Sequence, residues 1–418
     1  MKRFVLIFLL LVIASCSDND MDSELLSSDD GIDMEDPDPT PVDPEEEDER
    51  TPCENGFAGD YPCNGYDLMA LVSLEEMDAE SASDSWGWTD AATGKEYAFI
   101  GLNNGTGFVD ISSPSKPVYL GKLPTRTVSS SWRDIKVYNN YAFVVSEATD
   151  HGMQVFDLTR LRDIDTPTTF DADAEYLEFG SAHNIVINED SGFAYVVGSD
   201  TFSGGAHFIN IQNPENPVFA GGYAGDSYTH DAQVVTYHGL DADYIGHEIY
   251  VGSNEDSVTI IDVTDKSNPI IIAKTTYPNV GYVHQGWFTE DHHYYLVNDE
   301  LDEINFGFNT RTFVFDFSDM DNPVQIGTYT GPTQAIDHNH YIKGSILYQS
   351  NYSAGIRFVD ISDVANGNLS EVGFFDTYPE NNETSFNGVW SNYPFFDSGN
   401  IAVSDINRGL FLIRRSGT

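Results

Sequence analysis

Four histidines recur at one position of a repeating unit, at successive spacings of 47, 54 and 54 residues. A period near 50 residues predicts an array of similar units. Side chains at one repeat position of a closed array point towards its axis, so we expect four imidazoles to converge on one region. Imidazole is a ligand of Zn²⁺ and of other first-row metal ions. The four candidate metal ligands are His183, His230, His284 and His338.

A second polar pattern recurs further along each unit, and it supplies carboxylates. A carboxylate beside a histidine can share its metal or hold its second ring nitrogen. In an enzyme, Glu147 or Asp299 would be the candidate general base. A site made of oxygens alone would suit Ca²⁺ instead, so the sequence leaves Zn, Fe, Mn and Ca open. The acids of this pattern are Glu147, Asp200, Glu255, Asp256, Asp299 and Glu300.

The residue after each recurring histidine is also polar, which gives the pattern an alternative explanation. Repeats inherit residues by duplication, so the histidines and their neighbours can equally form a hydrogen-bonded belt between units. Arg133 stands at the histidine position 50 residues before His183. With Asp134 it could bind an anion, but we favour an ion pair across units. The polar residues expected beside the histidines are Arg133, Asp134, Asn184, Asp231, Gln285 and Asn339.

The remaining histidines fall outside this register, and we expect them in loops or on the surface. Five tryptophans lie near the same repeat position. We expect most of them in the core between units, with one or two free to stack on a sugar. The off-register histidines are His151, His207, His238, His247, His292, His293 and His340, and the tryptophans are Trp86, Trp88, Trp132, Trp287 and Trp390.

The units that position these residues consist of short β-rich runs separated by turns. Most hold four strands, here a to d, which is typical of propeller blades. We count seven units, with six or eight as the alternatives, and the last lacks strand d. The segment from Asp67 to Leu74 resembles an orphan strand d that closes the ring and removes the exposed sheet edges. We therefore predict an all-β, seven-bladed β-propeller over residues 51–418, closed by an N-terminal strand that completes the last blade.

This architecture assigns the candidate residues to one place. Strand a of each blade lines the central channel, and the d-to-a and b-to-c loops lie on the same face. The recurring histidines begin strand a, and the acids follow strand b. We therefore expect both sets at one mouth of the channel. The aspartates that end strand c, such as Asp110 and Asp262, precede Ser- and Thr-rich turns and are expected to form Asx turns.

Two sets of phrases carry a family resemblance. The phrase Phe108-Val109-Asp110-Ile111-Ser112 and its echoes resemble the LVIVD repeat. Longer phrases at residues 228–233, 284–287, 337–339 and 349–352 resemble the choice-of-anchor B family of bacterial secreted propellers. The resemblance spans roughly residues 64–413 and implies a propeller fold and a surface location. It implies no settled activity, since that family is named for its varied anchors.

The first residues are typical of a secreted chain. Lys2 and Arg3 precede an apolar run over residues 4–13, which is too short to span a membrane as a helix. The run ends in small residues and Cys16, which resembles the bacterial lipobox, whose cysteine is lipidated. We predict a lipoprotein signal peptide over residues 1–16. An ordinary secretory signal with an incidental cysteine is the alternative.

An acidic segment follows the lipobox. Residues 17–50 hold 16 Asp and Glu, one Arg and four prolines. Such a segment buries too little apolar surface to offset its ordering entropy, so we expect a disordered tether. Its start, Ser17-Asp18-Asn19-Asp20, resembles the export signal of Bacteroidetes lipoproteins, which implies the outer face of the outer membrane. The net charge of −49 argues against nucleic acid as a partner.

The two remaining cysteines fit an oxidising compartment. Cys53 and Cys63 form an even pair, and we predict a disulfide that closes a small loop. Together these features favour a monomeric surface lipoprotein that binds a protein or glycan at a polar channel mouth. A metal-dependent hydrolase or lyase that uses the histidine arc is the alternative. The sequence favours the binding module over the enzyme.

Overall fold

Seven sheets form the fold, as seen in a computed structural model that describes residues 49–418. Each contains four antiparallel strands, and two of the sheets carry additional short strands at the outer edge. Strand a of each blade contacts strand a of the next around the whole ring, including blade 7 to blade 1. The predicted seven-bladed β-propeller is therefore confirmed. From a to d, the strands of blades 1 to 3 are Ala82–Thr89, Glu96–Leu102, Gly105–Asp110 and Val118–Pro124; Arg133–Tyr138, Tyr141–Ser146, Met153–Asp157 and Ala174–Tyr176; and Asn184–Asn188, Phe193–Val197, Ala206–Asn210 and Val218–Tyr223.

The other four blades follow the same order. Blades 4 to 6 are Asp231–Thr236, Glu248–Ser253, Val258–Asp262 and Ile270–Thr275; Val283–Phe288, Tyr294–Asp299, Arg311–Asp316 and Val324–Thr330; and His340–Lys343, Ile346–Ser350, Ile356–Asp363 and Asn368–Phe375. Blade 7 holds Val389–Tyr393, Asn400–Asp405 and Gly409–Arg415 as strands a to c.

An N-terminal strand closes the ring as predicted. Tyr66–Ser73 pairs antiparallel with Gly409–Arg415 and supplies strand d of blade 7. Just before it, Tyr61–Asn64 pairs with strand d of blade 6, and Phe57–Ala58 pairs with Tyr61–Asn64. The predicted disulfide between Cys53 and Cys63 is present and holds this segment, with a Cα–Cα distance of 6.0 Å.

Within residues 49–418, helical structure is confined to short connections. The α-helix Asp302–Phe306 follows strand b of blade 5, and 3₁₀ turns occur at Leu158–Leu161, Phe202–Gly204 and Val364–Asn366. A two-residue strand, Thr168–Thr169, runs parallel to strand d of blade 1. Within residues 49–418, no helix is long and apolar enough to cross a membrane.

The hydrophobic core lies between neighbouring blades. One cluster joins Leu296 and Val314 of blade 5 to Leu347 and Val359 of blade 6. Strand b is covered on both faces, so Glu96–Leu102 is buried along its whole length. The predicted Asx turns are confirmed, because the strand-c aspartates accept backbone N–H groups two residues on. They are Asp110, Asp157, Asp262, Asp316 and Asp360.

The predictions for the N-terminus lie outside the described residues. These are the signal peptide and lipobox of residues 1–16, with the lipidation site Cys16, and nearly all of the acidic tether over residues 17–50. Described structure begins at Glu49, close to the predicted domain boundary at residue 51.

Candidate functional site

The four recurring histidines form one contiguous arc at a channel mouth. The ring centroids of His183 and His230 are 4.2 Å apart, and the next two steps, to His284 and to His338, are each 4.3 Å. Neighbouring ring planes are tilted by 45–49°. Blades 3 to 6 therefore bring four imidazoles into direct contact, which repetition alone does not require.

Hydrogen bonds at Nδ1 connect three of these rings to other blades. Nδ1 of His230 lies 3.2 Å from the backbone oxygen of His284, and Nδ1 of His338 lies 2.6 Å from that of Trp390. A carbonyl only accepts, so Nδ1 carries the proton in both rings. Their Nε2 atoms then hold a lone pair when the rings are neutral. Nδ1 of His183 lies 2.6 Å from Oε1 of Glu147 in blade 2.

The ring of His284, in the middle of the arc, has no hydrogen-bond partner within residues 49–418. Its side chain has no solvent exposure, and neither ring nitrogen has a partner within residues 49–418. The nearest charged group is Glu300, whose Oε2 lies 4.0 Å from Nε2 of His284. Buried polar atoms are nearly always satisfied, so a ring with two free nitrogens needs an explanation.

Glu300 brings a carboxylate to the centre of the arc. It follows strand b of blade 5, and its Oε1 accepts a hydrogen bond of 2.9 Å from the Tyr352 hydroxyl. The same oxygen lies 3.7 Å from Nε2 of His338. One ligand atom each from His230, His284 and Glu300 lies within 4.8 Å of the other two.

Burial sets the protonation of this group. It lowers the pKa of His230 and of His284 well below the ordinary value, and the neighbouring imidazoles lower both further. Burial also lowers the pKa of His338 to about 3 and raises that of Glu300 to about 7. The three rings are therefore neutral near pH 7, and neutral imidazole is the form that binds metals.

A cavity of about 450 Å³ opens over the arc. His183, His230, His338 and Glu300 contribute to its wall. Aromatic side chains supply much of the rest, namely Trp132, Tyr352, Phe386 and Trp390. A small molecule or a partner side chain can therefore reach the histidines from this mouth.

The residues that follow the histidines form the interblade belt considered above. Nδ2 of Asn184 donates to the His230 carbonyl, and Nε2 of Gln285 donates to Oδ2 of Asp231 over 2.9 Å. Gln285 Oε1 in turn accepts the backbone N–H of His340. Asn339 donates to Ser391 of blade 7 and, over 3.4 Å, to Asp84 of blade 1.

A buried ion triad continues the belt through blades 1 and 2. Nζ of Lys136 lies 2.6 Å from Asp134 and 3.3 Å from Asp84. Both carboxylates also accept the backbone N–H of a residue in the next blade, from Ile135 to Asp84 and from Ile185 to Asp134. Burial alone lowers the pKa of Lys136, but the two carboxylates more than offset it and raise that pKa.

The prediction that Arg133 forms an ion pair with another blade is wrong. Its guanidinium is buried, and it makes no ion pair within residues 49–418. Instead Nε donates to the Leu102 carbonyl over 3.2 Å, and Nη1 lies 3.0 Å from Nε2 of His151. The acid beside it, Asp134, is already paired with Lys136. Burial without a counter-charge lowers the pKa of Arg133 to about 10.

The other acids of the pattern are distributed unevenly. Glu147 and Glu300 contact the arc, whereas Asp200 lines a separate cavity and accepts the N–H of Gly180. Glu255 and Asp256 are exposed. Asp299, the second candidate base, is fully buried, and its oxygens accept four donors from Tyr277, Gly281, Tyr282 and Leu301.

The off-register histidines and the tryptophans depart in part from expectation. His207 and His340 are buried within strands, so the prediction of a loop or surface position is wrong for them, whereas His151 is buried but lies in a loop. Interblade hydrogen bonds explain the burial, since Nε2 of His207 lies 2.8 Å from the Tyr176 hydroxyl and Nε2 of His340 lies 3.1 Å from the Leu296 carbonyl oxygen. Trp132 and Trp390 line the cavity over the arc, while Trp86, Trp88 and Trp287 line a second cavity of about 420 Å³. Asp231 and Gln285 of the belt contribute to that second cavity.

Sequence reasoning did not identify a group of buried acids close to Glu300. Asp302, Glu303 and Asp337 are all nearly inaccessible. The available signal was the acidic run Asp299-Glu300-Leu301-Asp302-Glu303, together with Asp337 directly before His338. Such a run is normally solvated, so only the fold reveals that it turns inwards.

Comparison with known proteins supports the fold. Residues 91–125, 131–153 and 246–276 match the LVIVD repeat. No curated protein matches the chain.

Two solved structures share the propeller architecture at low sequence identity. A protein from Lactobacillus plantarum aligns with a TM-score of 0.51 and 13% identity, over 78% of this chain and 88% of its own. The Cps50 (Swd1) β-propeller domain of Myceliophteria thermophila aligns with a TM-score of 0.52 and 11% identity, over 80% of this chain and 97% of its own. At such identities the likeness concerns the fold alone.

Proposed function

We propose that this chain is a surface-displayed binding module whose channel mouth holds a divalent first-row metal ion, Zn²⁺ above all. His230, His284 and Glu300 would be its ligands. The observation that carries the proposal is the fully buried His284 ring, which has two unpartnered nitrogens and lies beside a buried carboxylate. A metal ion would satisfy one nitrogen of the ring and the carboxylate at once.

The ligand set suits zinc in number and type. Two imidazole nitrogens and one carboxylate oxygen are typical of zinc sites that keep a position open. Tetrahedral zinc needs ligand atoms about 3.4 Å apart, and here they lie within 4.8 Å of one another. A small closure of side chains would complete the site. When no external ligand is bound, Nε2 of His338, 3.7 Å from Glu300, is the candidate for the fourth position.

An open coordination position would face the 450 Å³ cavity, whose wall includes Trp132 and Trp390. A donor group of a partner protein or glycan could occupy it while an apolar part packs on the indole rings. The same position could activate a water molecule. Glu147, which contacts His183, is the candidate base of that hydrolase or lyase alternative.

Display on the cell surface rests on the N-terminal sequence. A lipidated Cys16 would anchor the chain to the outer membrane, and the acidic segment would separate the propeller from it. The Cys53–Cys63 disulfide is typical of an extracytoplasmic protein. Replacing Cys16 with alanine should release the protein from membranes, and protease added to intact cells should remove the propeller from the parent strain. A chain that stays internal would contradict the placement.

Metal binding can be tested on protein purified without a histidine tag and treated with a chelator. Titration calorimetry should give one Zn²⁺ per chain, and Glu300→Gln should weaken binding by about 100-fold because a charged ligand is lost. Glu255→Gln is the matched control, since this exposed acid lies outside the ligand group. Equal loss in both variants, or no binding by the parent chain, would reject the metal site. Metal-dependent hydrolysis that Glu147→Gln abolishes would favour the enzyme.

A further inference from the structure

A second group of polar residues, separate from the histidine arc, is buried without enough partners. Asp302 and Glu303 begin the helix that follows strand b of blade 5, and Asp337 precedes His338 in blade 6. Their solvent exposures are 0%, 3% and 0%. Three carboxyl groups are thus withdrawn from water in the same interblade region, where each ionised group carries a large desolvation cost.

Four of the six carboxyl oxygens of these acids lack donors. Oδ1 of Asp302, both carboxyl oxygens of Glu303 and Oδ1 of Asp337 have no hydrogen-bond partner within residues 49–418. Asp299, only three residues before Asp302, shows the contrast because it accepts four donated hydrogen bonds. The fold therefore satisfies one buried acid completely and leaves its neighbours with free acceptors.

The neutral side chain of Gln349 gives independent evidence that a ligand binds here. Gln349 has no solvent exposure, and its Nε2 donates to Thr312 over 3.0 Å and to Oδ2 of Asp337 over 3.3 Å. These bonds fix the amide beside Asp337 and leave its Oε1 buried without a donor. An amide oxygen carries no proton at ordinary pH, so this Oε1 needs either a bound cation or the O–H of a protonated carboxyl beside it.

The local charges do not balance. Arg311 is the one cation that forms an ion pair with this group in the described chain, through Nε and Nη2 to Oδ2 of Asp302 at 2.6 and 2.5 Å. Either protons or a bound cation must supply the missing positive charge.

We infer that Asp302, Glu303 and Asp337, with the amide oxygen of Gln349, form a Ca²⁺ site between blades 5 and 6. All four offer oxygen, which Ca²⁺ prefers and which suits zinc poorly. The side chains of these residues must close around the ion to bring their oxygens to bonding distance. Ca²⁺ tolerates irregular geometry, with oxygens on opposite sides about 5 Å apart.

The test uses the whole protein, freed of metal by a chelator and titrated with Ca²⁺ alone. Calorimetry should give one tight equivalent, and Ca²⁺ should raise the unfolding temperature by several degrees because it binds only the folded state. Glu303→Gln should abolish both responses. In chelator this variant should be at least as stable as the parent chain, since it removes an uncompensated buried charge.

Two controls make the result decisive. Asp319→Asn and Asp321→Asn alter an exposed acidic group that includes Asp241 and should leave the Ca²⁺ response intact. Should Glu303→Gln fail to fold, Asp337→Asn and the titration of the parent chain decide. The inference would be overturned if millimolar Ca²⁺ changed neither the unfolding temperature nor the calorimetric trace of the parent chain. Bound protons would then neutralise the three carboxylates. Glu300→Gln should retain the response, which separates this site from the proposed zinc site.

Discussion

Two neighbouring positions at the start of strand a, repeated through blades 3 to 6, differ in how completely their side chains are hydrogen-bonded. The belt position holds Asn184, Asp231, Gln285 and Asn339, whose side chains hydrogen-bond to another blade. The preceding position holds the four histidines, and the ring of His284 among them makes no hydrogen bond within the described chain. Duplication explains the recurrence of both rows, so recurrence does not distinguish them. Hydrogen bonding distinguishes the ring of His284 from the belt residues, because an unsatisfied buried group lowers stability unless a ligand binds it.

The belt should therefore matter for folding and the arc for binding. Polar groups of the belt are paired, and removing one partner leaves the other buried alone. In the centre of the arc the nitrogens are already alone, so their removal loses no hydrogen bond. Substitutions of adjacent residues in the belt and in the arc test this difference.

The largest effect is expected at Lys136. Lys136→Met leaves the buried carboxylates of Asp84 and Asp134 without their cation, which should lower the free energy of unfolding by about 3–5 kcal/mol. Denaturant unfolding measures the change. Lys95→Met is the control, because Lys95 pairs with Asp110 on the surface and should change stability by less than about 1 kcal/mol. Similar losses of stability in both variants would show that the buried ion pairs of Lys136 contribute no more than the surface pair of Lys95.

A smaller effect is expected at Gln285. Gln285→Leu removes the partners of Oδ2 of Asp231 and of the His340 N–H, both buried. The free energy of unfolding should fall by about 1–3 kcal/mol, and metal affinity should change little. Denaturant unfolding and calorimetric titration of the same sample measure both quantities. An unchanged stability would mean that the belt is dispensable.

The smallest change in stability is expected at His284, the residue before Gln285. His284→Leu replaces a ring that makes no hydrogen bond by an apolar side chain, so the metal-free protein should stay within about 1 kcal/mol of the parent. Zn²⁺ binding should be lost. A large destabilisation that is accompanied by normal zinc affinity would reverse the roles assigned to the two positions.

Sequence patterns predicted the fold well because repetition and closure obey local rules. The spacing of strands and turns predicted seven blades, the orphan segment from Asp67 to Leu74 predicted ring closure, and Cys53 with Cys63 predicted the disulfide. Each is confirmed. These features depend on short-range patterns and on the chain ends.

The site was harder to predict because it depends on contacts between blades. Sequence placed Glu147, Asp200, Glu300 and Asp299 in one pattern, whereas their side chains have four different surroundings. The pairing of Arg133 with His151, and the inward turn of Asp302 and Glu303, follow from packing that has no periodic signal. Repeat position therefore predicted which face a residue occupies, but not which partner it meets.

The most direct test of the central claim is a crystal structure of the zinc-loaded protein with anomalous scattering measured at the zinc edge. We predict one strong peak bonded to Nε2 of His230, a ring nitrogen of His284 and a carboxylate oxygen of Glu300, at distances of about 2.0–2.2 Å. Peaks confined to exposed acids such as Asp319 and Asp321, with His284 still unbonded, would contradict the account.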